Sequence, residues 1–221
     1  MHGGLRQPAP VGHWPKGVTM HDLAQGVARF QRGVFPAQAA HFQHLATTHR
    51  PSTLFISCSD ARVIPELITQ SEPGELFVIR TAGNLVPAYT PNADGIAASI
   101  EYAVAVLGVS DIVVCGHSAC GAMTALADDH DLAALPAVAH WLRHAEASLA
   151  RTACAELGED KVSVLVRNNV IAQLANLATH PSVARALAAE TLTLRGWVYD
   201  IPTGAVDQLD PVTGCSAALA A

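Results

Sequence analysis

Charge is scarce in this chain. Only 14% of its 221 residues are Asp, Glu, Lys or Arg, and half are hydrophobic, which excludes the charge-rich composition of intrinsic disorder. A basic patch is also missing. The 13 Lys and Arg are scattered and the formal net charge is −6, so nucleic acid is not an expected partner. The uncharged stretch Ile112 to Ala127 is interrupted by Gly116, His117 and Gly121, and it is too short to span a bilayer. No membrane association is expected. Met1 to Thr19 lacks a basic start followed by an apolar run, so no export signal is read there and the expected location is the cytoplasm. Neither a phosphate-cradling Gly-rich loop nor a Gly-x-Ser-x-Gly elbow occurs, which leaves nucleotide binding and serine hydrolysis without support. The five cysteines are odd in number and widely spread, an arrangement that argues for metal or core roles and against a disulfide framework.

Two short runs carry the chemistry. Cys58-Ser59-Asp60-Ala61-Arg62 and His117-Ser118-Ala119-Cys120 each follow an apolar, β-branched stretch that reads as a buried strand. Each run therefore offers soft ligands where a strand ends and a helix begins, the place where doubly wound α/β folds build their sites.

The rest of the chain supports that class. Residues 1–18 are rich in Gly and Pro and read as a flexible arm. Thr19 is placed to cap a helix over Met20 to Gln31, with Leu23, Val27 and Phe30 on one apolar face, and Pro36 to open a second helix to about His49. These helices, within a segment 19–50, have no sheet partner of their own and are expected against another subunit or across the sheet. Residues 51–221 form the α/β domain. Strands are expected over Thr53–Ser57, Leu76–Arg80, Asp111–Cys115 and Leu192–Tyr199, with a last one over Ala205–Leu209 after a turn at Pro202-Thr203-Gly204. Helices are expected over Pro65–Gln70, from Asn92 or Asp94 to Leu107 with Gly108 ending it, over Leu132–Leu157 and Asp160–Thr179, and a shorter one over Pro181–Glu190. Alternation of this kind predicts an α/β fold: a mainly parallel central sheet with flanking helices, an N-terminal helical arm and an antiparallel C-terminal hairpin.

Two thiolates and one imidazole suit zinc, and three protein ligands leave a fourth position open. The candidate metal ligands are Cys58, His117 and Cys120. Cys115 offers an alternative, a closed structural site with four ligands, although its place within a strand favours a core role. Asp60 and Arg62 argue for the open site. A carboxylate beside zinc accepts the proton of a bound water and fixes its orientation, while a paired Arg keeps that carboxylate ionised. His140 and His144 have the spacing of a metalloprotease helix, but Trp141 stands among them where a Glu base would be needed, so they read as a solvated or packing face. Cys154 and Cys215 have no partners at ligand spacing and read as structural or free thiols.

Beyond the ligand runs, Glu72-Pro-Gly-Glu-Leu-Phe-Val-Ile-Arg80, Ala82-Gly-Asn84, Glu101-Tyr-Ala-Val104, Leu107-Gly108 and Gly196-Trp-Val-Tyr-Asp200 complete a pattern that resembles the β-class carbonic anhydrases from about Gln31 to Leu209. The resemblance implies one zinc ion per subunit on Cys58, His117 and Cys120, a catalytic Asp60–Arg62 dyad, and reversible hydration of carbon dioxide to bicarbonate and a proton by zinc hydroxide. It also implies a homodimer or homotetramer with clefts at subunit interfaces. His49, where many members have Gln, and Gly121, which closes the His-Ser-Ala-Cys-Gly run, are the implied substrate-binding residues. Some departures stand out: Thr81 where Asn is frequent, Ala119 where Asp is frequent, and Phe55 where members with a second, non-catalytic bicarbonate pocket have Trp. The last predicts an open site in which Asp60 is not a ligand.

Overall fold

Four strands of parallel pairing carry the fold because their sequences are apolar on both faces, as strands buried on both sides must be. The structure, a computed structural model, describes residues 17, 19–92, 94–152 and 160–219. The Gly/Pro-rich arm, apart from Gly17, and Cys154 lie outside the described residues. The six-stranded sheet has the order β2-β1-β3-β4-β5-β6, built from β1 (Thr53–Cys58), β2 (Leu76–Thr81), β3 (Asp111–His117), β4 (Thr193–Tyr199), β5 (Val206–Leu209) and β6 (Ser216–Ala218). Pairing is parallel from β2 through β1 and β3 to β4, then antiparallel to β5 and β6. This is the mixed sheet the alternation implied. The three-residue strand β6, Ser-Ala-Ala, is an addition; it is too short and too weak in β propensity to be read from sequence.

Helices flank the sheet: α3 (Pro65–Thr69), α4 (Gly95–Glu101), α5 (Gly121–Ala127), α6 (Pro136–Leu142), α7 (Glu146–Thr152), α8 (Lys161–Ala178) and α9 (Pro181–Ala188) follow β1. Asp94 caps α4 by accepting from Ile96 and Ala97, and the helix runs on as a wider π turn over Tyr102–Leu107 to the left-handed Gly108. The helix expected over Leu132–Leu157 starts later, at Pro136, and is broken by a tight 3-10 turn over Arg143–Ala145; residues 153–159 fall outside the described set.

One face of the sheet packs on α8. Leu54, Ile56, Ile112 and Val114 meet Val170, Ile171, Leu174 and Leu177 in the main core. Two glycines bring the helix close. A Cβ on Gly116 would stand 2.9 Å from Val170, and one on Gly196, in the neighbouring strand, 2.8 Å from the same side chain. The other face carries a smaller cluster of Phe55, Val113 and Cys115 with Trp197 and Tyr199.

The chain divides into two compact units, 1–48 and 49–221. In the first, Thr19 caps α1 (Met20–Arg29) in a reciprocal box: its hydroxyl accepts from the Asp22 N–H at 3.2 Å and the Asp22 carboxylate accepts from the Thr19 N–H at 2.9 Å. Pro36 does not open a separate helix. The helix passes through a π turn over Phe30–Val34 into α2 (Phe35–Leu45). A proline at this point removes the N–H that would bond Arg32 and its ring crowds that carbonyl, and a π turn, with the Phe35 N–H reaching back to Phe30, widens the helix where the ordinary ladder fails. The rings of Phe30, Phe35 and Phe42 pack together at 5.5–6.2 Å.

Candidate metal centre

Strand β1 ends at Cys58 and its parallel neighbour β3 ends at His117, so the two ligand runs leave the sheet side by side. The ligand atoms of Cys58, His117 and Cys120 lie within 4.8 Å of one another, and all three residues are buried. His117 is fixed by its own turn. Its Nδ1 lies 2.9 Å from the Ser118 carbonyl, which can only accept, so Nδ1 carries the proton and Nε2 is left as the free donor atom. That Nε2 is buried with no hydrogen-bond partner, an expensive state for a nitrogen unless a ligand meets it.

The sulfurs are prepared in the same way. The Cys120 thiol donates to Cys58, which holds Cys58 well below the usual thiol range against the opposing effect of its burial, while the same bond and burial together push Cys120 above it. The backbone N–H groups of Asp60 and Gly83 also point at the Cys58 sulfur, and those of Ala122 and Met123, in the first turn of α5, point at Cys120. Donors aimed at sulfur stabilise thiolate, the form that binds metal. The donor set fits a metal ion: two soft sulfurs and a neutral imidazole within reach of one centre.

Asp60 and Arg62 stand beside this cluster. Arg62 donates from Nε to Oδ1 at 2.9 Å and from Nη2 to Oδ2 at 2.7 Å, and the Arg62 N–H adds a third bond to Oδ1 at 2.9 Å. The guanidinium hydrogen bonds hold the Asp60 carboxyl far below the usual carboxylate range. Asp60 Oδ2 is 4.0 Å from His117 Nε2. Arg62 also bonds the Ala119 carbonyl at 3.1 Å, tying the first ligand run to the second across 57 positions of sequence. Ala119 meets that bond in the left-handed region, φ +53°, which costs an alanine about 1–2 kcal/mol.

Cys115 is not part of the cluster. It lies fully buried beside Phe55 and Val113, its thiol is directed to the Gly116 carbonyl at 3.4 Å, and burial pushes its pKa up to about 12. Such a thiol is a core residue, so the four-ligand alternative finds no fourth ligand there. Phe55 is also buried, edge-on to Trp197. Gly121 opens α5, with nothing within 4 Å of where a Cβ would stand. His49 is placed elsewhere. It precedes β1 and its ring lies 6.3 Å from that of Phe77, near the start of β2, whereas Cys58 ends β1, five residues or about 16 Å further along. Within one chain the two are not brought together. His144 packs edge-on to Trp141 at 5.1 Å and His140 is exposed, in keeping with the solvated or packing face read for them.

Other supporting residues were not legible beforehand. Arg80 donates to the carbonyls of Cys58, Asp60 and Val63, wrapping the loop that presents Asp60. Along α8, Asn169, Gln173 and Asn176 form a polar ladder inside an apolar core. Asn169 donates to the Gly83 carbonyl, Gln173 accepts from the Val86 N–H and Asn176 donates to the Val86 carbonyl. The ladder pairs the main chain of an irregular segment that passes through the core, as buried backbone requires. At Gly83, φ +72°, a side chain would collide with Ala122 and Met123 at 3.0–3.1 Å.

Comparison with known proteins agrees with this geometry. The carbonic anhydrase family model matches residues 53–206. A carbonic anhydrase of Pseudomonas aeruginosa is 60% identical over 193 residues, covering 86% of this chain and 88% of that protein. The chain belongs to the β-carbonic anhydrase family. Among solved β-carbonic anhydrases, CcaA shares 42% identity at a TM-score of 0.85 and covers 91% of this chain and 92% of its own. One from a study of two tetrameric β-carbonic anhydrases of Sordaria macrospora shares 29% identity at a TM-score of 0.68, covering 89% and 94%. As a member, this chain is an enzyme, a carbonic anhydrase. Among the described residues no helix is long and apolar enough to cross a membrane.

Proposed function

We propose that the chain hydrates carbon dioxide reversibly to bicarbonate and a proton, with one zinc ion held by Cys58, His117 and Cys120. The observation that carries this reading is the unpartnered, buried His117 Nε2, which faces two sulfurs beside an ionised Asp60. Zinc at such ligands, when bound, acidifies water and supplies hydroxide near neutrality. The remaining work belongs to the chain. Asp60, fixed by Arg62 through both oxygens, is an acceptor at every pH of interest and orients the nucleophile by taking its hydrogen bond at Oδ2, the oxygen nearer His117. With both oxygens turned to Arg62, Asp60 has the arrangement of an open site. Leu85 and Met123, packed with the two cysteines, exclude water from the sulfurs.

Gly121 keeps the space beside Cys120 clear for substrate. His49 takes part only across a subunit boundary, in the site of a second copy, and the same reading makes the chain a cytoplasmic homodimer or homotetramer. The tetrameric relatives support such an assembly. The test is stopped-flow hydration of carbon dioxide by the zinc-loaded protein between about pH 6.5 and 9, since a zinc-held water titrates near 7 and two thiolates raise that value. Activity rising with pH, and lost together with zinc in Cys58→Ser, is the expected result. Zinc fully bound with no turnover at any pH would reject the assignment.

A further inference from the structure

The partner of His117 Nδ1 is main chain, the Ser118 carbonyl, so no substitution can delete it. What can be changed is whatever holds that carbonyl in place. The exit of β4 pins Ser118 by its other two polar groups. Its N–H donates to the Tyr199 carbonyl at 2.9 Å, one step beyond the register pair of His117 with Tyr199, and its hydroxyl oxygen accepts from the Ile201 N–H at 2.9 Å. Ile201 belongs to a closed turn between β4 and β5. There the Asp200 N–H donates to the Ala205 carbonyl and the Gly204 N–H to the Asp200 carbonyl, both at 2.8 Å, and the Thr203 hydroxyl donates to the Asp200 carboxylate. On the far side of the peptide that joins Ser118 to Ala119, the Ala119 carbonyl is held by Arg62. That peptide, whose carbonyl serves His117, is therefore strung between two anchored residues. The Ser118 hydroxyl is the anchor that a substitution removes without touching Arg62.

We infer that Ser118 is a positioning residue for the metal ligand His117, acting through the bond of its hydroxyl to the turn between β4 and β5. This role presumes the metal proposed above on Cys58, His117 and Cys120. The His117 ring has no second hydrogen bond to steady it, since Nε2 is unpartnered, so its orientation and tautomer depend on the Ser118 carbonyl. Without the hydroxyl, Ser118 keeps only its N–H tie to β4, and its carbonyl is free to swing about the bond to Cα. Groups that hold a ligand from one hydrogen bond away change metal affinity by about 10-fold to 100-fold. A group acting through one further link belongs at the lower end.

Ser118→Ala removes the hydroxyl, and Ser118→Thr keeps it. For both variants and the parent, Zn2+ affinity is measured against a chromophoric chelator, nitrogen-15 histidine NMR of the zinc-loaded protein records the ring nitrogens of His117, and melting is followed in chelator. The Ala variant is expected to bind zinc about 10-fold more weakly and to lose the slowly exchanging Nδ1–H signal of His117, while the Thr variant keeps both. An Ala variant with the parent's affinity and the parent's signal, altered only in melting temperature, would make Ser118 a structural residue, and the inference would fall while the metal site stands. A Thr variant that melts like the parent yet binds zinc as weakly as the Ala variant would overturn it too, because the hydroxyl would not be the cause. A parent protein in which zinc leaves the His117 Nε2 resonance unmoved would overturn both the inference and the metal reading beneath it.

Discussion

At Asp60 the metal site and the reaction can be separated, because in the function proposed above its carboxylate orients the nucleophile, is bonded to Arg62 and is not itself a metal ligand. In Asp60→Asn an amide NH2 replaces one of the oxygens that accept from Arg62, so the dyad breaks while Cys58, His117 and Cys120 keep their places. The expected outcome is a full complement of zinc by elemental analysis and a fall in kcat/KM for carbon dioxide hydration of about 100-fold. Normal turnover would remove Asp60 from its assigned role. Residues of this kind were legible because the sequence places them directly at strand ends. Cys58 and His117 each close an apolar strand, and parallel pairing of two such strands can only bring the runs together. Arg80, Asn169 and Gln173 were not legible, since their partners are main-chain carbonyls and N–H groups far away in sequence. Main-chain groups are the same at every position and leave no mark in a sequence. Arg80 showed only as the end of one of the runs that carry the family resemblance, with no role attached.

Between elements, the closest dependence is that of α8 on β3 and β4. Gly116 and Gly196 admit Val170 to the sheet surface, and an added methyl at Gly196 would stand 2.8 Å from Val170 and 3.1 Å from Leu174. Both neighbours are buried and Val170, the nearer, is β-branched and stiff, so Gly196→Ala should destabilise by about 1–3 kcal/mol, measured as a lower urea midpoint with unchanged slope. A midpoint equal to the parent's would mean that α8 can shift without cost. The start of α8 has its own pH dependence. Asp160 caps the helix by accepting from the Ser163 hydroxyl at 2.7 Å and the Ser163 N–H at 2.9 Å, bonds that lower its pKa in the folded state. A carboxyl so lowered stabilises the fold at pH values above its unfolded pKa, and the contribution is lost as pH falls through the folded one. The melting-temperature gap between the parent and Asp160→Ala, both in chelator, should therefore be widest near neutrality and narrow below about pH 4; a gap independent of pH would remove the charge from the explanation. The helix starts at Asp160 and at Asp94, the latter one of two candidates with Asn92, were readable because a helix start is a local event. The π turn ahead of Pro36 was not, since the residues about it suit either a break or a widened turn.

For the molecule as a whole, the unexplained surface is that of the first unit. Helix α1 buries none of its residues, and Leu23, Val27 and Phe30 are 53%, 56% and 41% exposed along one face. Contiguous apolar exposure of this sort marks a surface that another body covers, and the assembly proposed above makes that body a second copy of the chain. The sequence carried this far: spacing of three and four residues gives the stripe, and Thr19 as a cap gives the helix start, but what covers the stripe belongs to no single chain. Leu23→Glu combined with Val27→Glu leaves Thr19 and Asp22, and so the helix start, intact. It places two charges where the contact would be dry, and loss of two such anchors should raise the subunit dissociation constant by about 10-fold or more. Light scattering behind size exclusion should then show a smaller species at concentrations where the parent is fully assembled, with far-UV circular dichroism unchanged. A mass equal to the parent's across the dilution series would show that the stripe is not a subunit contact.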